Sequence, residues 1–187
     1  FHYVMRLEER TSKPGEIWII SDEQIFKSVS YGRDWTKMMP SELEYHYHGL
    51  GLSPWNDNEI LAGSVGSGQW SDSSGKVYRS EDGGTTWADS STGLPNNSDS
   101  VHALHYAQTE EYKDVVLLGS YFGENDHSSM SDAFGLYRSV DSGLSWEEVI
   151  VGDTIKNIPE IAECNGNIYI ATDIGIYDST DGGQNWN

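Results

Sequence analysis

Apolar and polar residues alternate with a period of two along most of this chain, in short runs that lack the three-and-four spacing of a helix. The sharpest are Ile25-Phe26-Lys27, Val77-Tyr78-Arg79, Leu136-Tyr137-Arg138 and Ile176-Tyr177-Asp178. Runs of β-branched and aromatic residues with this period, bounded by glycine, proline and Asx clusters, predict strands. Each of the four leads straight into the same eight-residue pattern. Ser80-Glu81-Asp82-Gly83-Gly84-Thr85-Thr86-Trp87, Ser139-Val140-Asp141-Ser142-Gly143-Leu144-Ser145-Trp146 and Ser179-Thr180-Asp181-Gly182-Gly183-Gln184-Asn185-Trp186 keep Ser, Asp, Gly and Trp in register. Ser28-Val29-Ser30-Tyr31-Gly32-Arg33-Asp34-Trp35 keeps all but the Asp.

A hairpin turn accounts for the pattern. Asp82, Asp141 and Asp181 can accept hydrogen bonds from N–H groups of their own turn. Gly32, Gly84, Gly143 and Gly183 sit where the chain reverses and φ > 0 is needed. Trp35, Trp87, Trp146 and Trp186 then open the next strand, each large enough to fill the layer between neighbouring sheets. In this reading the aspartates are structural and not catalytic.

The repeat resembles the Asp box (BNR, sialidase-type repeat) of β-propellers. That resemblance implies an all-β fold, a β-propeller of four-stranded antiparallel blades. Successive repeat tryptophans are 52, 59 and 40 residues apart, the scale of one blade each. The chain then reads as one domain, 1–187, with blades at about 1–40, 41–94, 95–153 and 154–187. Innermost A strands are expected at His2 to Glu9, Leu43 to Leu50, Val101 to Ala107 and Ile158 to Glu163, and the repeats are C–D turns. The last blade lacks its outer D strand. Four blades with open edges are expected to belong to a larger ring of six to eight, completed by further blades of a longer chain or by a second copy. A self-contained ring of four is the weaker reading.

Charge narrows the partners. Thirty acidic residues against eleven basic give a net charge of −19, which repels nucleic acid and anionic membrane surfaces. No apolar run approaches the ~18 residues needed to span a bilayer, and a single cysteine, Cys164, excludes an internal disulfide framework. A secreted or surface setting is expected, with protein or glycan as partner and no cofactor.

Chemistry is sought on the face opposite the repeat turns, where the B–C connections differ. Blades one and four have tight ones, around Asp22-Glu23 and Asp173-Ile174. Blade two carries a loop from Ser64 to Gly75, and blade three one from Tyr121 to Phe134. Loops of this length in a compact domain are uncommon and often functional. Trp70, Asp72, Tyr121, Phe122, Asn125, Asp126 and His127 form the candidate ligand set, mixing aromatics with carboxylates and amides. His2, His46, His48, His102 and His105 fall on expected innermost strands. His46 and His48 would share a strand face roughly 7 Å apart, a weak metal pair needing a third ligand from a neighbouring blade; hydrogen-bonded histidines between blades are the favoured reading.

Two function classes follow. The first is a non-enzymatic module binding protein or glycan through the loops of blades two and three. The alternative is a glycoside hydrolase, since Asp-box propellers resemble both sialidases and xyloglucan-type endoglucanases. A sialidase needs three clustered arginines, and Arg6, Arg10, Arg33, Arg79 and Arg138 offer no convincing triad. The endoglucanase resemblance rests on Thr172-Asp173-Ile174-Gly175 and implies an acid/base pool of Asp173, Asp72, Asp126 and Glu124. A pair ~6.5–9.5 Å apart would invert and a pair ~5 Å apart would retain.

Overall fold

The computed structural model describes residues 4–21, 24–39, 46–65, 75–95, 100–121, 135–152, 155 and 157–187. The alternating runs pair as expected into four antiparallel sheets. Blade one holds β1 (Val4–Glu9), β2 (Ile17–Ser21), β3 (Gln24–Ser28) and β4 (Thr36–Lys37). Blade two holds β5 (Tyr47–Leu52), β6 (Ile60–Ser64), β7 (Val77–Ser80) and β8 (Ala88–Asp89). Blade three holds β9 (Val101–Tyr106), β10 (Val116–Ser120), β11 (Leu136–Ser139) and β12 (Glu147–Val149). Blade four holds β13 (Glu160–Cys164), β14 (Asn167–Thr172) and β15 (Gly175–Ser179). Within each sheet the strands follow chain order, A to D from the centre outward.

The registers make the blades equivalent position by position. A residue at or next to the start of each B strand faces a repeat serine: Ile17 with Ser28, Ile60 with Ser80, Val116 with Ser139 and Ile168 with Ser179. Blade two departs from the expected innermost strand. β5 starts at Tyr47 and runs to Leu52, so His46 precedes the strand, and its pairing with β6 is irregular between Tyr47 and Gly49. The alternating run at 43–50 ended it too early because Gly51, buried against blade three, reads as a turn residue in sequence. Blade four is three-stranded among the described residues, yet Asn187 exchanges both backbone hydrogen bonds with Asp178 where a D strand would begin.

Each repeat turn closes on itself. Asp82 Oδ1 accepts the N–H groups of Thr85 and Thr86 at 2.9 and 2.8 Å, and the Thr86 hydroxyl donates to Oδ2 at 2.6 Å. Asp141 and Asp181 repeat this with Ser145 and Asn185 as the side-chain donors. The buried serine is the turn's other pin: Ser80, Ser139 and Ser179 Oγ each accept the N–H of the repeat glycine. Hydrogen bonds to the ionised form favour it. Asp82 is lowered to about 2 by the Thr86 hydroxyl and N–H first, with Ser80 and Thr85 adding to them. Burial works against Asp181, but Asn185, Ser179 and the Gln184 N–H outweigh it and bring this carboxyl to about 2 as well.

Neighbouring blades lock through the same turns. A Cβ on Gly84 would lie 2.6 Å from Trp18, one on Gly143 2.7 Å from Leu61 and one on Gly183 2.7 Å from Leu117. Only glycine lets each turn sit directly on the B strand of the preceding blade. Trp87 Nε1 donates to Met38 O and Trp146 Nε1 to Ser90 O, both at the end of the preceding D strand. Arg79 Nε and Arg138 Nε reach forward to Ser142 O and Gly182 O in the next turn. Apolar clusters fill the seams between blades one and two, two and three, and three and four, and they take in Trp87, Trp146 and Trp186 respectively.

Candidate functional site

The A strands line a common channel, and its polar side chains come from all four blades. At the end that carries the B–C connections, three rings form a ladder. His48 of β5 meets His102 of β9 edge-to-face, centroids 5.4 Å apart and planes at 89°. His102 in turn lies 5.1 Å from Tyr121, tilted by 59°. Tyr121 directly follows β10, so the ladder runs from the channel wall to the root of the blade-three loop.

The two imidazoles of the ladder are uncharged near neutral pH. Burial, reinforced by the neighbouring imidazoles of His102 and His46, lowers His48 to about 4. Burial also lowers His102, although its contact with a carbonyl opposes the shift. His102 Nδ1 lies 3.2 Å from Pro159 O. A carbonyl only accepts, so Nδ1 carries the proton and Nε2 is left as an acceptor in the neutral ring.

Below the ladder an ion pair spans the channel from the first blade to the last. Arg6 Nη1 contacts both carboxylate oxygens of Glu160 at 3.0 and 2.7 Å, and Nη2 donates to His102 O at 3.2 Å. Beyond it, toward the repeat-turn face, a cavity of about 610 Å³ is lined by Glu8, Arg10, Trp55, His105 and Glu163 among others. His105 Nε2 lies 3.2 Å from Glu163, which also accepts the N–H of Gln108. Burial would raise Glu163, but these bonds hold it below the ordinary carboxylate range. Glu8 goes the other way, raised chiefly by burial.

Of the residues expected to bind ligand, Tyr121 is in the ladder, and Trp70, Asp72, Phe122, Asn125, Asp126 and His127 lie outside the described residues. Of the acid/base pool, Asp173 is exposed in the β14–β15 turn, which Thr172 closes through Gly175 O and the Ile174 N–H; Asp72, Glu124 and Asp126 are outside. His48 and His102 come together across two blades. Among the described residues no group of three His, Cys, Asp or Glu could hold a metal ion, and His46 and His48 gain no third ligand there. Glu8, Glu160 and Glu163 escaped the sequence reading, and Arg6 was weighed there only as one of five arginines that form no triad. Their signal was charged residues on innermost strands.

No protein-family model and no curated protein matches the chain. Among solved structures, an ancestral GH74 enzyme matches with a TM-score of 0.72 and 18% identity over 98% of this chain and 25% of its own. The fold is a β-propeller. The GH74 xyloglucanase from Xanthomonas campestris matches this propeller with a TM-score of 0.71 and 16% identity, over 99% of this chain and 30% of its own. YCF48 bound to D1 peptide follows at 0.62 and 12%, over 98% of this chain and 54% of its own. The propeller described here thus spans under a third of the GH74 enzymes and about half of YCF48.

Proposed function

We propose that this chain is an Asp-box propeller segment acting as a secreted or surface-displayed interaction module, without enzymatic activity of its own, that takes a protein segment across the B–C face of blades two and three. The observation that carries this reading is the His48–His102–Tyr121 ladder. It puts neutral donors and acceptors on a packed aromatic support at the channel mouth, the composition of a protein-binding hot spot. His48 and His102 meet edge to face, and Tyr121 is tilted against His102. A net charge of −19 favours a basic partner and gives association that weakens as salt rises. One propeller of this shape, YCF48, has been seen with a peptide bound.

Calorimetric titration with lysine-rich peptides tests it. Affinity should fall roughly tenfold in His102→Ala and in Tyr121→Ala, and should fall again with added salt. Affinity unchanged from that of the unaltered chain in both variants sinks the reading. Likeness to GH74 enzymes over nearly the whole chain favours glycoside hydrolysis as a second reading, with Asp173 in the acid/base pool. Reducing-sugar release from xyloglucan that disappears in Asp173→Asn would establish that reading instead.

A further inference from the structure

Blades two and three each have a packed neighbour on both sides, yet their outer edges differ. In blade two the edge is finished with polar groups. Asp89 of β8 pairs with Lys76 at 2.6 Å, the repeat turn carries Glu81 and Thr85, and Ser91 Oγ folds back to the Val77 N–H and carbonyl. The same positions of blade three hold Glu148, Gly135, Val140, Leu144 and Ile150. Gly135 stands where the lysine would be, and among the described residues neither Glu148 nor Glu147 makes an ion pair. Val140, Leu144 and Ile150 are 62%, 53% and 82% exposed.

The backbone of this edge is open as well. β12 pairs only with β11, and at three residues it is longer than β4 or β8. Ser90, the blade-two equivalent of Val149, bonds inward to Val77 O. Alternation then turns Glu147 and Val149 toward β11 and points the N–H and C=O of Glu148 outward. Side chains alternate too, so each face of the edge offers a carboxylate followed by an apolar group: Glu147 with Val149, and Glu148 with Ile150. Beside it runs a groove of about 400 Å³ lined by Val140, Glu147, Glu148, Ile150 and Gln184 among others.

We propose that the outer edge of blade three takes an extended segment of another protein as a fifth strand, antiparallel to β12 and reading two apolar residues followed by two basic ones. Main-chain bonds to Glu148 attach it. The basic pair stands opposite Glu148 and Glu147, and the apolar pair covers Ile150 and Val149. Charge selects this occupant. Sheet edges are commonly guarded by lysine, whereas this one presents carboxylates with the lysine missing. It repels a second copy of a chain whose net charge is −19 and attracts a basic strand.

Fluorescence anisotropy with a labelled peptide containing Ile-Val-Lys-Lys is the test, with the order Lys-Ile-Lys-Val as control. The first should bind and the control more weakly. Affinity should fall roughly tenfold in Glu148→Lys and in Ile150→Ser, with circular dichroism unchanged because both side chains are exposed. Methylating the peptide amides that face β12 should weaken it as far. Ile150→Ser should leave the binding of an all-lysine peptide as it was, so this edge and the channel mouth fail separately. The proposal is overturned by no binding, by equal binding of the control order, or by affinity that neither edge substitution changes. Self-association of the chain that Ile150→Ser abolishes overturns it too, and gives the edge to a second copy.

Discussion

The first repeat turn and the three that follow it do the same job with the roles of two residues exchanged. In the later turns an aspartate two residues after the serine collects the turn's N–H groups, and a hydroxyl or amide four residues further on supports it. In the first turn Ser30 stands at the aspartate position and Asp34 at the supporting one. Ser30 Oγ accepts the Asp34 N–H at 2.9 Å and donates to its carboxylate at 3.3 Å. The carboxylate has moved, and the turn survives. A short polar side chain at each of the two positions is what the geometry demands, and which of them bears the charge is secondary.

The fourth residue of the pattern is common to both kinds of turn. Tyr31, Gly83, Ser142 and Gly182 all adopt positive φ, at 56°, 73°, 59° and 68°. In the first three blades its N–H donates to the carbonyl of the blade's own A–B turn: Gly15, Asn58 or Asp114. Two of the four turns thus tolerate a non-glycine in a left-handed conformation because this bond fixes it.

The largest effect is expected where every turn depends on the same feature. Gly143→Ala combines φ of +85° with a Cβ in contact with Leu61, and should lower stability by about 2–4 kcal/mol in urea unfolding. Breaking the caps should separate the two kinds of turn. Asp141→Ala removes the acceptor of two N–H groups and two hydroxyls and should cost about 1–2 kcal/mol, whereas Ser30→Ala removes one N–H acceptor and should cost about half as much. Equal losses would erase the distinction.

Acid titration sharpens the comparison further. The Asp82 and Asp181 carboxyls are held at about 2 in the folded chain, against the ordinary aspartate value of 3.8 expected when it unfolds. Their stabilisation is complete above the unfolded value and fades as pH falls from about 4 toward 2, where the unfolded chain binds more protons. The urea midpoint should decline over that window, and less steeply in the Asp82→Asn, Asp181→Asn double variant. The smallest expected change is a gain: Ser142→Gly relieves the left-handed strain and should raise stability by roughly 0.5 kcal/mol. No gain would mean that the Ser142 backbone carries no strain.

Sequence alone determined the blades, because what makes them is local. Alternation with a period of two, a serine and an aspartate that cap their own turn, and a glycine and an indole at fixed offsets are contacts within eight residues. These motifs placed β3, β7, β11 and β15 and all four turns to within a residue or so. The end of the innermost strand of blade two was misread because Gly51 is shaped by β9 of the next blade, a neighbour distant in sequence. The candidate site was legible only in part for the same reason. Histidines on inner strands could be seen, but the meeting of His48 with His102 and Tyr121, and of Arg6 with Glu160 across 154 residues, depends on how the blades turn about the channel. Tertiary structure alone decided, too, that Leu117 is buried while its counterpart Tyr169 is left partly exposed, since exposure belongs to the neighbouring blade and not to the residue.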